Sequence, residues 1–231
     1  MSSAEWNPGM MFALAVAYFL PIICLMVFIG YENKKYLIYL LWGFLASIPV
    51  IILTWFILLP AFPADSDLSL SVFPLVEEFF KALPVIIPAL IGIKSRDKDL
   101  LFYAMAAGIG FSLIENFGFV ITALSNPTPG IVLGVLARSF STSLMHGCTC
   151  GIIGYGIVLI RNFDRAALPV LLFGFYTLAV TTHAIFNLLL LDSSNDLGII
   201  IDIIFPVVLF FFLRTCYHAD VPGLFKNGNT A

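Results

Sequence analysis

Apolar runs of about 20 residues, separated by short polar stretches, recur along the whole chain. At 1.5 Å per residue, such a run spans a bilayer core of ~30 Å. Seven runs qualify, and each predicts a membrane-spanning helix: residues 9–29, 37–60, 71–93, 100–124, 131–160, 166–191 and 197–214. Proline and glycine interrupt several of them, which helices in lipid tolerate. The connections are short, and no internal repeat is visible. The expected fold is therefore all-α, a polytopic membrane bundle of about seven transmembrane helices. It forms a single integral membrane domain over residues 1–231, with no appended soluble domain.

Basic residues fix the expected orientation. Lys34 and Lys35 lie between helices 1 and 2, Lys94, Arg96 and Lys98 between 3 and 4, and Arg161 and Arg165 between 5 and 6. Arg214 and Lys226 close the C-terminus. The alternate connections, 61–70, 125–130 and 192–198, carry none. Cytoplasmic loops collect Lys and Arg, so the N-terminus is expected outside and the C-terminus in the cytoplasm. Met1 to Gly9 lacks Lys and Arg, unlike a signal peptide, so the first helix is expected to remain. Composition agrees: 61% of residues are hydrophobic and 11% charged, against about a quarter charged in soluble domains. No basic patch suggests a nucleic-acid partner; the lipid bilayer is the expected surrounding. The four cysteines (Cys24, Cys148, Cys150, Cys216) lie in or beside apolar runs and suggest no disulfide framework.

Charges inside the spans break the pattern. Helix 3 carries Glu77-Glu78-Phe79-Phe80-Lys81. Each such charge costs roughly 2.5–3.5 kcal/mol on insertion scales, so it marks a functional site by default. The ammonium of Lys81 is three and four residues from the two carboxylates and lies beside either on a helix. Helix 4 adds Glu115 and Asn116, helix 5 adds Arg138 and His146, and helix 6 adds His183 with Asn187 one turn on. Counting ~1.5 Å per residue from the helix ends puts Glu77, Glu115, His146 and His183 in the outer third of the membrane. Each has an unremarkable reading taken singly: a charged kink, a protonated packing Glu, an interhelical hydrogen bond. Four at one level on four helices are difficult to explain as unrelated. Asp202 reads as interfacial and His218 as exposed beyond the last helix. Cys148 and Cys150 read as small buried hydrophobes before thiolate ligands.

Two His and one carboxylate commonly hold Zn²⁺, and a separate Glu then activates the bound water. The candidate metal ligands are Glu115, His146 and His183. Glu77 or Glu78 is the candidate base, with Lys81 tuning the pair. Asn187 or Asn116 would polarise a carbonyl or orient a ligand. Such a site hydrolyses amides, and in a membrane its substrates are membrane proteins or peptides. A metal-free variant uses Glu-activated water, with His and Asn stabilising the oxyanion.

The ordered set Glu77-Glu78-Phe79-Phe80-Lys81, Gly110-Phe111 with Glu115-Asn116, Arg138 with His146, and His183 with Asn187 resembles the motifs of the PrsW family of intramembrane proteases. These sit within the superfamily of CAAX prenyl-protein proteases and bacteriocin-processing enzymes. The resemblance covers residues 73–190, and the catalytic core is expected in 71–191. It implies a multi-pass protease of the prokaryotic plasma membrane that cuts membrane proteins near the extracytoplasmic face, as in cleavage of an anti-sigma factor. It implies an active-site set of Glu77, Glu78, Glu115, His146 and His183. CAAX proteases carry His where this chain has Glu115, which argues against prenylated substrates. The rival readings are a non-catalytic scaffold resembling the gamma-secretase scaffold subunit, a CAAX-type prenyl-protein endopeptidase, and a transporter. The acidic pair beside two His disfavours the scaffold, and the missing inverted repeat disfavours the transporter.

Overall fold

The computed structural model describes residues 8–29, 34–62, 67–91, 99–124, 128–160, 163–164, 166–191 and 196–219. Among these the chain forms seven long helices and no strand. They are α1 (Pro8–Ile29), α2 (Lys34–Leu53), α3 (Asp67–Leu90), α4 (Leu100–Leu124), α5 (Pro129–Ile160), α6 (Leu168–Leu191) and α7 (Asp196–His218). Six are long and apolar enough to cross a membrane; α3 is the one that carries Glu77, Glu78 and Lys81. The helices match the apolar runs closely. The α2 span extends through a π-helical turn, Thr54–Leu58, and a final turn, Leu59–Ala61. The last helix reaches His218, which is exposed in its final turn rather than beyond it. Asp202, read as interfacial, is buried six residues into α7.

Helix α5 is the axis of the bundle. It packs against α1, α3, α4, α6 and α7, and from Ser141 to Ile160 it is almost wholly buried. Its start is explicit in the sequence. Thr128 accepts a hydrogen bond through Oγ1 from the Ile131 N–H at 3.2 Å, and Pro129 fills the first helical position, which needs no N–H. Small residues bring α4 onto it. A Cβ on Gly108 would overlap the backbone carbonyl of His146. The opposite face of α4 meets α2 just as closely, with Gly43 against the Ala107 carbonyl and Gly110 against the Leu40 carbonyl. Such contacts supply packing where lipid removes the hydrophobic driving force between helices.

Helix α3 lies between α2 and α6 with α5 behind it. Pro74, Pro84 and Pro88 interrupt its backbone hydrogen bonding. Donors from both neighbours reach its carbonyls. Trp42 Nε1 of α2 donates to Phe80 O at 3.1 Å, and Tyr176 of α6 donates its hydroxyl to Leu75 O at 2.5 Å. The charged stretch of α3 is thus held from two sides.

Candidate active site

The charged residues of α3 meet those of α4, α5 and α6 in one chain of contacts. Glu78 and Lys81 are one turn apart and fully buried, both 0% exposed. Lys81 Nζ donates to Glu78 Oε1 at 2.7 Å and to His146 Nδ1 at 2.7 Å. The ring of Phe111 faces the ammonium at 5.0 Å. A buried ion pair is costly unless its remaining hydrogen-bonding capacity is used; the ammonium has a carboxylate, an imidazole and an aromatic face, whereas Glu78 Oε2 is buried without a partner.

With Lys81 donating to Nδ1, the proton of His146 sits on Nε2 and is donated to Glu115 Oε2 at 2.5 Å. Glu115 Oε1 accepts a hydrogen bond from Arg138 Nη2 at 3.2 Å. Arg138 in turn stacks over Phe119 at 5.2 Å. At the other end, His183 Nδ1 donates to the same Glu78 oxygen at 2.7 Å. The sequence His183, Glu78, Lys81, His146, Glu115, Arg138 is therefore one continuous network across four helices. The two imidazoles stand edge to face, 4.8 Å apart at an interplanar angle of 86°.

Glu77 lies outside that network because adjacent helical residues point about 100° apart. Its Oε2 is buried without a hydrogen-bond partner and lies 3.7 Å from His183 Nε2, beyond hydrogen-bonding distance. Nε2 of His183 is the nitrogen that the Glu78 contact leaves free. One donor atom each from Glu77, His146 and His183 lies within 4.8 Å of the others. Two imidazoles and a carboxylate are a zinc donor set. Donation of the other His183 N–H to a carboxylate is the usual support for such a ligand. The residues fit a zinc ion once His146 Nε2 exchanges its contact with Glu115 for the metal; Glu77 Oε2, like Glu78 Oε2, is buried without a hydrogen-bond partner.

The remaining expected residues sit nearby in different surroundings. Glu115 meets His146 directly, on the side away from Lys81. Asn116 turns to α5, where its Nδ2 donates to Ser143 Oγ at 3.3 Å, and its Oδ1 is buried without a partner. Asn187 is half-buried one turn beyond His183. Cys148 and Cys150 are buried and unpaired, and neither belongs to the Glu77, His146, His183 cluster. Two residues escaped the sequence reading: Ser112 donates to Ser143 Oγ at 2.7 Å. Their signal was present, since each hydroxyl lies one turn from Glu115 or His146 within an apolar helix. Trp42 and Tyr176 gave no such signal, because their role depends on backbone groups of another helix.

A sequence model described as PrsW family intramembrane metalloprotease matches residues 33–215. No curated protein and no solved structure matches the chain.

Proposed function

The chain belongs to the PrsW family of intramembrane metalloproteases, and from that premise we propose how its residues divide the work of hydrolysing a peptide bond. The observation that carries the proposal is the convergence of Glu77, His146 and His183 within 4.8 Å. These three would hold a zinc ion, His146 through the Nε2 that here meets Glu115, and Glu115, released from that contact, would be the general base. The roles expected for Glu77 and Glu115 are thereby exchanged. Zinc, when bound there, makes a water nucleophilic at neutral pH and polarises the scissile carbonyl.

The chain's own groups do the rest. Glu78 anchors His183 through Nδ1, so that Nε2 points to the Glu77 side. Lys81 holds Glu78 and His146 together. Glu115, partly exposed with a side-chain accessibility of 37%, is the carboxylate open to an incoming water. It takes the proton at Oε2 and passes it to the leaving amine, while Arg138 keeps it in place through Oε1. Asn187, one turn from His183, orients the substrate carbonyl. The catalytic core lies in residues 71–191. With the basic connections in the cytoplasm, the cluster faces the outer half of the membrane, and the substrates are membrane proteins cut near the extracytoplasmic face. An anti-sigma factor is one such substrate class, in a prokaryotic plasma membrane.

Two substitutions separate the roles. In purified protein, Glu77→Gln is expected to lose zinc together with peptide hydrolysis. Glu115→Gln is expected to keep zinc and lose about 10²–10⁴-fold in rate, the usual contribution of a general base. The His146→Ala, His183→Ala double variant binds none. Zinc retained in Glu77→Gln and lost in Glu115→Gln would restore the opposite assignment. A wild-type protein purified without chelators that carries no metal would remove the zinc from the site.

A further inference from the structure

The helices α2 and α4 touch tightly at one level and line a cavity beyond it. Their contact is set by glycine: Gly43 and Gly110 each face a carbonyl of the opposing helix with no room for a Cβ. Beyond it side chains of both partners come to the surface. The first half of α4, from Leu100 to Ser112, is almost wholly buried, whereas Phe117 and Ile121 are 50% and 54% exposed. On α2, Trp55 and Phe56 of the π-helical turn are 67% and 78% exposed. Between this contact and the exposed side chains, a crevice separates the two helices.

A cavity of about 190 Å³ occupies this crevice. Val50, Ile51 and Trp55 of α2 line one wall, Phe111 and Ile114 of α4 the other, and both Glu77 and Glu115 open into it. Glu78 and the two imidazoles are not in its lining. The two carboxylates that the proposed chemistry needs are thus reached from the side of the molecule, between two helices whose outer surfaces are apolar.

We propose that the crevice between α2 and α4 is the mouth through which a locally unwound stretch of another protein's membrane-spanning segment reaches Glu77 and Glu115. The proposal rests on the proteolytic reading above. An intact helix, about 10 Å across, is too wide for this space. An extended stretch fits, and its backbone N–H groups, freed from helical bonding, need acceptors in a membrane. The hydroxyls of Ser47 and Thr54, which also line the cavity, offer them. A lipid chain would use the apolar walls and leave those acceptors unmet. The crevice therefore selects spans that unwind easily, such as those broken by Gly-Pro.

Photocrosslinking in vesicles tests this. Benzoyl-phenylalanine replaces Ile51 or Trp55 in a Glu115→Gln background, and Val170 or Phe173, exposed on α6, serve as controls. The probes are synthetic single-span Leu/Ala peptides in phosphatidylcholine and phosphatidylglycerol vesicles, one with a Gly-Pro break near the centre and one without. Capture several-fold stronger at 51 and 55 than at 170 and 173, and stronger for the broken peptide, is the expected result. Filling the crevice with Ile114→Trp, or with Ile51→Trp under a label at 55, abolishes that capture while the melting temperature stays unchanged. Equal capture at all four positions, or capture of lipid alone, overturns the proposal. Selective capture with no cleavage by the wild-type protein supports the mouth and removes the protease reading. Cleavage without selective capture does the reverse.

Discussion

The carbonyl of Phe80 has no helical partner, because Pro84, four residues on, lacks the N–H that would bond it. Trp42 supplies the missing donor from α2. Phe80 precedes Lys81, so this bond fixes the backbone from which the buried ammonium projects. Trp42→Phe keeps the aromatic volume and removes the donor; it is expected to cost about 1–3 kcal/mol, the penalty of an unpaired buried carbonyl, read as lower thermal stability in detergent. Lys81→Met removes the only cation hydrogen-bonded to Glu78 among the described residues and the donor to His146 Nδ1, and is expected to cost about 3–5 kcal/mol, as for a broken buried pair. Arg138→Ala removes a partner of Glu115 that is about a third exposed, and under ~1 kcal/mol of stability should be lost. A Lys81→Met protein as stable as wild type would mean that the network is dispensable for folding. The sequence made the members of this network legible, since charges and His stand out in apolar helices. Their pairing was not legible. Whether His146 meets Glu115 or Glu77 depends on helix rotation, and no spacing within one helix reports the rotation of its neighbours.

Helix α4 positions Glu115 through its packing on α5. Gly108 abuts the His146 carbonyl, and Glu115 lies seven residues further, two turns along the same face. Gly108→Ala therefore pushes the helices apart at the site itself. It is expected to lower the melting temperature and to reduce hydrolysis, since a displacement near 1 Å can cost about 10²-fold in rate. Gly118→Ala, where a Cβ would meet nothing within 4 Å, is the matched control and should change neither. The apolar runs gave the helices nearly to the residue. They could not give the π-helical turn at Thr54–Leu58, which leaves no mark on hydrophobicity. Nor did they show that the first turns of α5 stand partly exposed, as Leu133 does at 65%.

At the scale of the whole molecule, the cluster lies near the ends of three helices that face away from the basic connections. Glu77, Glu115 and His183 are 10, 9 and 8 residues from Asp67, Leu124 and Leu191, or roughly 12–15 Å along each axis. If the basic connections are cytoplasmic, a fluorescent protein fused after Ala231 should fluoresce and an alkaline phosphatase there should stay inactive. The opposite pair of results would turn the crevice toward the cytoplasm and change the class of bond within reach. The shared depth was visible in the sequence because helical rise is fixed; the crevice was not, because it is a space between α2 and α4 that neither helix encodes alone. The network also has an order in time. Its members come from α3, α4, α5 and α6, and His183 is the last to be synthesised. A chain still on the ribosome, with α6 not yet inserted, holds Glu78 without His183 and Glu77 without its facing imidazole. If the proposed roles of these residues hold, the growing polypeptide is incompetent until its sixth helix enters the bilayer, and it cannot attack its neighbours while it is being made.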